Sequence, residues 1–539
     1  MENNSLFKNL SLKIPHLPTL LLIVGYPFFW LEMCFSAKRG IASSFATMVF
    51  GICFVWVISK NKGIISLLSN FKTTYLEQKK STRFYICFCF VLIGLILSIG
   101  FYASMLPVHL VQEFDSLNYH ITMPRQHLLL GSFMHIGWSP ADLFVLPIDF
   151  GLAPYWLATA FPNKWPQFLF LLGLAGIVAS LVKRFGGNYL GSCLALIAFF
   201  GMHFIGIQIG TAMLDIVLAY LFFASIDSLL DKKYILSGIE GAFYFWSKPF
   251  IPFQIVICFA AVFLAWILFK RVGFKIINPG FNEGFFSLKK FAIPFLVASF
   301  FVAGPFVLKS LYYASTPLYP FGAGKFNISH TEGSDSLCRK SMIENAKNLV
   351  SAKDSYGYGR GFIDFLRHFW LVAVPDKGVN NRYDYPIGLM YLIFLAPFVF
   401  LFGRLLKWRN FSVLGFFIVI YWVSWWLGSQ QTRFLYIPVI LIIIIVSSNI
   451  RTYSAPLMIS TALALALTAF SVYNAHKNDF GKPRVAVLRA KDRQLLRIND
   501  DYESRKGEVV TLDYYDIAYA RFPAKVIKPG TVWVLENCR

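Results

Sequence analysis

Apolar residues in this chain come in blocks, without the strict alternation of strands or the one-sided stripe of surface helices. Thirteen blocks stand out, at 18–36, 41–59, 84–106, 165–183, 189–206, 211–229, 234–249, 250–269, 291–309, 386–403, 411–428, 434–449 and 456–473. A helix needs about 20 apolar residues to cross a hydrocarbon core. A segment that is apolar on every face belongs in lipid or deep inside a helical bundle. The pattern therefore predicts thirteen transmembrane helices, with 234–249 and 434–449 the shortest. No cleavage-site pattern precedes the first block, so it reads as a retained anchor.

The polar connections give the predicted helices an orientation. The 60–83 loop carries Lys60, Lys62, Lys72, Lys79, Lys80 and Arg83. The 270–290 and 404–410 connections and the turns at Lys183-Arg184 and Lys232-Lys233 are basic as well. With thirteen crossings all of these fall on one side, which the excess of Lys and Arg marks as cytoplasmic. Lys38-Arg39, in a tight turn, is on the wrong side of this scheme. The N-terminus is then cytoplasmic, and loops 107–164 and 310–385 and the tail from 474 are extracytoplasmic, as expected for an inner-membrane protein.

Composition agrees. Only 14% of the residues are charged, against about 25% in a soluble domain. The net charge of +22 is spread over loops interleaved with the spans, so it speaks for membrane lipid and against a nucleic-acid partner. The expected fold is an all-α polytopic membrane protein with a small extracytoplasmic α/β appendage. Residues 1–83 form an N-terminal helical hairpin and cytoplasmic loop, 84–473 the transmembrane domain, and 474–539 the appendage. The appendage is charged and carries strand-like runs at 484–488, 508–512 and 531–535.

The chemistry gathers at one membrane level. Glu113, Asp115, Tyr119, His120 and Arg125 follow the third block where it leaves the bilayer. Asp215 lies one turn inside the 211–229 block, Lys248 between two apolar segments, and Gln431 and Arg433 at the start of the 434–449 block. Ionisable residues at such depth are costly to desolvate, and their common level points to a shared cavity. Each alone also fits a solvated or snorkelling residue at a helix end. The 107–164 loop, broken by prolines, suits amphipathic helices on the membrane surface. The glycine-rich 322–385 loop reads either as a closing lid or as a linker, with Arg360, Arg367 and His368 as further candidates.

The segment Phe114-Asp115-Ser116-Leu117-Asn118-Tyr119-His120, with Pro124 behind it, resembles the first outer-loop motif of bacterial GT-C-fold glycosyltransferases that use polyprenyl-phosphate sugars. Leu214–Ala219, Lys248, Gly304–Lys309, Thr316–Phe321 and the Gln430, Gln431, Arg433, Phe434 and Pro438 set are similar to further marks of that family, in the same order. The match spans about residues 84–450, and the two helices before it are a departure. The resemblance implies an inverting glycosyltransferase that moves a sugar from a polyprenyl-phosphate donor to a lipid, glycan or protein acceptor. It implies Asp115 as catalytic base. Arg433, Lys248 and His120 would bind the donor phosphate, and Glu113, Asp215, Tyr119, Arg125 and Gln431 are further site candidates. Glu113 and Asp115 form an acidic pair that would suit a divalent cation, should the enzyme use one.

Other readings stay open. A lipid-linked saccharide polymerase or ligase would share face and donor. A transporter or flippase would call for internal repeats and mid-membrane charges, and a structural protein would leave Asp215 and Arg433 unexplained. Of the eight cysteines, Cys338 and Cys538 fall in outer hydrophilic segments, where an oxidising compartment would let them pair.

Overall fold

The computed structural model describes residues 13–35, 41–60, 75–106, 115–136, 139–157, 164–273, 275–276, 288–325, 334–351, 356–357, 359–374, 385–407, 410–481, 510–512 and 527–529. Every apolar block predicted from the pattern is helical. In chain order the helices are α1 (Thr19–Phe35), α2 (Ile41–Lys60), α3 (Lys80–Ser104), α4 (Thr122–Leu130), α5 (Pro147–Leu157), α6 (Trp165–Arg184), α7 (Tyr189–Phe200), α8 (His203–Gln208) and α9 (Asp215–Leu230). They continue with α10 (Tyr234–Trp246), α11 (Ile251–Arg271), α12 (Leu288–Ala314), α13 (Ser334–Ser351), α14 (Phe362–Leu371), α15 (Leu389–Lys407), α16 (Val413–Leu427), α17 (Tyr436–Asn449) and α18 (Ala455–Gly481). By length and composition, seven of the described helical stretches are apolar enough to cross a membrane. The protein is a multi-pass, all-α membrane protein.

Side-chain exposure separates lipid-facing helices from the centre. Helix α12 turns Ile293, Leu296, Val297, Phe300 and Phe301 outward, and α18 does the same with Ile459, Leu463, Leu467 and Phe470. Those i, i+3, i+4 stripes are uncovered apolar surface, which is stable only against hydrocarbon. Helix α17 is the opposite case: Tyr436 to Ile444 are all buried, against α7, α15, α6 and α16. Some helix starts are closed by a neighbouring side chain. Asn188 accepts from the Gly191 amide at 2.8 Å to cap α7, and Ser412 accepts from the Gly415 amide at 3.2 Å to cap α16.

Three predicted features come out differently. The 189–206 block is broken at Gly201–Met202 into α7 and α8, because the chain turns there. Helix α9 begins at Asp215 itself, so that carboxylate stands at a helix N-terminus and not one turn inside, where the helix dipole favours it. The 107–164 segment does not form only surface helices. Its helix α5 is buried from Pro147 to Trp156 and packs against α1 and α2. The close approach has a visible cause: a side chain on Gly25 of α1 would strike the backbone of Gly151 on α5. Small residues facing each other let two helices cross at backbone distance.

Among the described residues strands are few and short. Two-residue strands β1 (Lys275–Ile276) and β2 (Asn410–Phe411) pair in parallel. In the tail, β3 (Val510–Leu512) pairs in parallel with β4 (Ile527–Pro529). Strand β3 lies within the predicted 508–512 run; the runs at 484–488 and 531–535 lie outside the described residues, as do Glu113, Cys538 and the side chain of Cys338.

Buried ionic networks sit at several places. At the far end of α9 from Asp215, His16 lies between Glu240 at 2.9 Å and Asp227 at 3.0 Å, and Thr19 and Ser228 each donate to Glu240 at 2.8 Å. Arg184 adds an ion pair to Asp227 at 2.7 Å. This network ties the segment before α1 to α6, α9 and α10.

Candidate functional site

The site starts at a distortion. Residues Ser116–His120 wind as a π-turn, with the Ile121 amide donating to the Ser116 carbonyl at 3.0 Å. Wider turns of this kind recur at functional sites, because they re-aim side chains that a regular helix would stack. Asp115 stands at the head of this turn. Arg433 comes from a 3-10 turn, Thr432–Leu435, that leads into α17.

Between them runs an ion pair. Arg433 Nη1 donates to Asp115 Oδ2 at 2.7 Å, across 318 residues of sequence. Beside it, Lys248 Nζ donates to Asp215 Oδ1 at 2.9 Å, from the turn joining α10 to α11. Gln208, the last residue of α8, donates to the other oxygen of Asp215 at 3.0 Å. Phe434 joins the two pairs: the Lys248 ammonium is 5.1 Å and the Arg433 guanidinium 5.5 Å from its ring centre. Both lie within cation–π range. The four ionisable residues that the sequence placed at one level therefore form one cluster.

The cluster is open on the Asp115 side. The Asp115 side chain is 20% exposed and Arg433 15%, whereas Asp215 is 3% exposed. Burial pushes the Asp115 carboxyl up, but Arg433, His120 and Lys248 together outweigh burial and hold it below the usual carboxylate range. In this arrangement Asp115 is ionised and a weak base. Burial, and then the Asp115 charge, push the Tyr119 phenol well up, so it stays neutral.

The other candidates divide. His120 belongs to the site: its ring lies 4.2 Å from that of Tyr119, and its Nδ1 donates to Asp149 at 2.8 Å. Arg125 lies in α4 and takes no part in the two ion pairs. Gln431 shapes the Arg433 turn, since its backbone carbonyl accepts from Trp425 Nε1 at 2.7 Å and its side chain from Ser429 at 3.4 Å. Gln430 is the docking point of the glycine-rich segment: it donates to the Gly359 carbonyl at 2.9 Å and accepts from His368 Nε2 at 3.0 Å. Arg360 reaches the Trp426 carbonyl. Gly357 has φ +87°, and a side chain there would strike Gln430. Arg367 is exposed. Among the described residues no group of three or more His, Cys, Asp or Glu is placed to hold a metal ion.

Sequence reasoning missed Gln208, Asp149 and a neighbouring cluster around Asp142. Asp142 accepts from Lys309 at 2.6 Å, His135 at 3.0 Å and the Ile136 amide at 2.6 Å, and His127 Nε2 lies 2.6 Å from it and 3.0 Å from the Lys309 ammonium. Burial pushes the Asp142 carboxyl up, yet Lys309 and His127 hold it well below the usual range. The available signal was a lone aspartate inside an apolar run, at Pro-Ala-Asp-Leu and Pro-Ile-Asp-Phe. No protein-family model matches this chain, and neither a curated protein nor a solved structure does.

Proposed function

We propose that the protein is an integral-membrane glycosyltransferase that moves a sugar, with inversion, from a polyprenyl-phosphate donor to a hydroxyl acceptor. The chain crosses the inner membrane thirteen times, and its site faces the extracytoplasmic side. The observation that carries the reading is the part-exposed Arg433–Asp115 pair with Lys248–Asp215 beside it. A phosphate needs cations, a nucleophile needs a base, and both are held here in one contact.

The pair gives the site an order of events. A donor phosphate entering beside Arg433 competes with Asp115 for the guanidinium, which binds phosphate oxygens in a fork. Once the phosphate neutralises that charge, the Asp115 carboxyl rises and becomes a better proton acceptor. The acceptor oxygen then attacks the anomeric carbon, its proton passes to Asp115, and the bond from the anomeric carbon to the phosphate oxygen breaks with its electrons. Lys248 remains near the developing phosphate charge as a point cation, its place fixed by Asp215. A positioned base of this kind contributes about 10²–10⁴ in rate.

The test uses purified full-length protein in lipid nanodiscs with polyprenyl-phosphate sugars, following loss of the donor. Wild type consumes at least one donor, and Asp115→Asn does so about 10²–10⁴-fold more slowly. No consumption of any donor by wild type would sink the reading, and Asp115→Asn turning over at the wild-type rate would remove Asp115 as base.

A transporter or flippase is the second reading, favoured by the buried His16, Asp227 and Glu240 network at the other end of α9. Donor movement across a liposome without bond cleavage would establish it.

A further inference from the structure

Asp149 is a buried carboxylate for which the transfer scheme above has no use. Its side chain is fully covered. One oxygen accepts from His120 Nδ1 at 2.8 Å, and the other has no hydrogen bond among the described residues. Such a group costs stability, and a cost of that kind calls for a compensating role. Its position is firmly set: α5 is seated on α1 where Gly25 meets Gly151, two residues beyond Asp149.

His120 is held from two sides, by Asp149 at Nδ1 and by the Tyr119 ring 4.2 Å away. Its Nε2 makes no hydrogen bond among the described residues. The imidazole also lies within electrostatic reach of the Asp115 carboxyl, and Lys248 within reach of Asp149. The groups facing the ring are thus Asp149 from α5, Tyr119 and Asp115 from its own turn, and the Arg433 and Lys248 cations beyond them.

Sugar transfer changes the charge in this space. The donor phosphate is a diester with one negative charge. As the glycosidic bond breaks, its electron pair stays on the phosphate oxygen and the leaving group becomes a monoester with two. The negative charge has then moved from Asp115, which takes the acceptor's proton, onto the phosphate.

We propose that Asp149 is a positioning residue for sugar transfer: it fixes the His120 ring through Nδ1, so that the Nε2 edge is presented to the departing phosphate. The proposal rests on the glycosyl-transfer reading. A carboxylate orients an imidazole through Nδ1 in the same way in hydrolytic triads. Because the extra phosphate charge appears only as the bond breaks, the hydrogen bond strengthens in the transition state, and its loss falls on turnover more than on donor binding.

The experiment combines kinetics with imidazole ¹⁵N spectra of the full-length protein in nanodiscs. Asp149→Asn is expected to lower kcat about 10–100-fold, the range for a lost hydrogen bond to a charged group. Donor affinity should change by less than about threefold, since the bond is weak in the ground state. In a His120→Gln background the same substitution should have little further effect, because the two residues act as one unit. In wild type, a hydrogen-bonded Nδ1–H signal that disappears in His120→Gln should be present, and added polyprenyl phosphate should shift its Nε2 partner. The spectra need no Asp149 variant, so they decide even if Asp149→Asn does not fold. Unchanged kcat in Asp149→Asn, additive losses in the double variant, or an Nε2 signal indifferent to polyprenyl phosphate would each overturn the role. Wild-type protein that consumes no donor would instead refute the transfer reading itself.

Discussion

Asp115 and Asp142 come from the same stretch of chain, and each meets a cation from a distant helix, yet the two pairs are built in opposite ways. Asp142 has four polar partners within 3.0 Å, and its side chain and that of Lys309 are 1% and 3% exposed. Every lone-pair direction is used. Asp115 has one described donor, Arg433, and a fifth of its side chain is exposed. A saturated buried pair is a lock, because removing either partner strands a charge. A part-exposed pair with spare valence exchanges partners at little cost. The contrast separates a pair that holds the 107–164 segment in place from a pair built to exchange partners.

The largest test of that contrast sets two substitutions side by side. Lys309→Met leaves Asp142 buried without its cation and should destabilise the protein by about 3–5 kcal/mol in detergent unfolding. Asp115→Asn should change stability by no more than about 1 kcal/mol, while turnover drops by about 10²–10⁴. Equal stability losses in the two variants would erase the distinction. Next in size, Arg433→Met should lower kcat by about 10²–10³, as for loss of one preorganised donor to developing charge. Arg433→Lys should recover part of it, as a point charge without the fork.

The pH dependence sharpens the same comparison. Both carboxylates are depressed in the folded state, so each contributes stability above its unfolded value, about 3.9, and loses it as pH falls through the folded value. The Asp142 lock should therefore hold unchanged from neutral pH down to about 4. Asp115 should behave differently once donor binds: with Arg433 occupied by phosphate its carboxyl rises. The acid limb of kcat should then lie at higher pH than that of kcat/KM, which reports the free enzyme. Coincident limbs would mean that the phosphate does not displace Asp115. The smallest effect on turnover is expected at Gly357→Ala, where the left-handed backbone adds about 1–2 kcal/mol of strain and the new methyl forces Gln430 aside. It should speed hydrogen exchange around His368 and leave both aspartate pairs unchanged.

Much of this architecture was legible in the order of residues. The apolar blocks became helices because length and uniform hydrophobicity decide that outcome locally. Asp115, Asp215, Lys248 and Arg433 could be grouped from their position at block ends, and they do meet. Asp142, Asp149, His16 and Glu240 could not be assigned, since each reads as an isolated polar residue in oily sequence. Their meaning depends on partners such as Lys309, 167 residues from Asp142, or Glu240, 224 from His16. The shape of α5 was missed for a related reason: whether an apolar helix lies on a surface or inside a bundle is settled by the helix it meets.

That meeting has a consequence in time. Gly25 is made roughly 125 residues before Gly151, so at ~5–20 residues per second α1 waits about 6–25 s for the helix it will carry. During that interval its small-residue face is covered only by lipid, by α2 or by an insertion factor. The pocket that holds Asp149 can close only after the fifth or so of the chain that precedes Asp115 has been inserted and kept ready. A slow or misdirected first helix would then yield protein that is membrane-embedded, helical and inert.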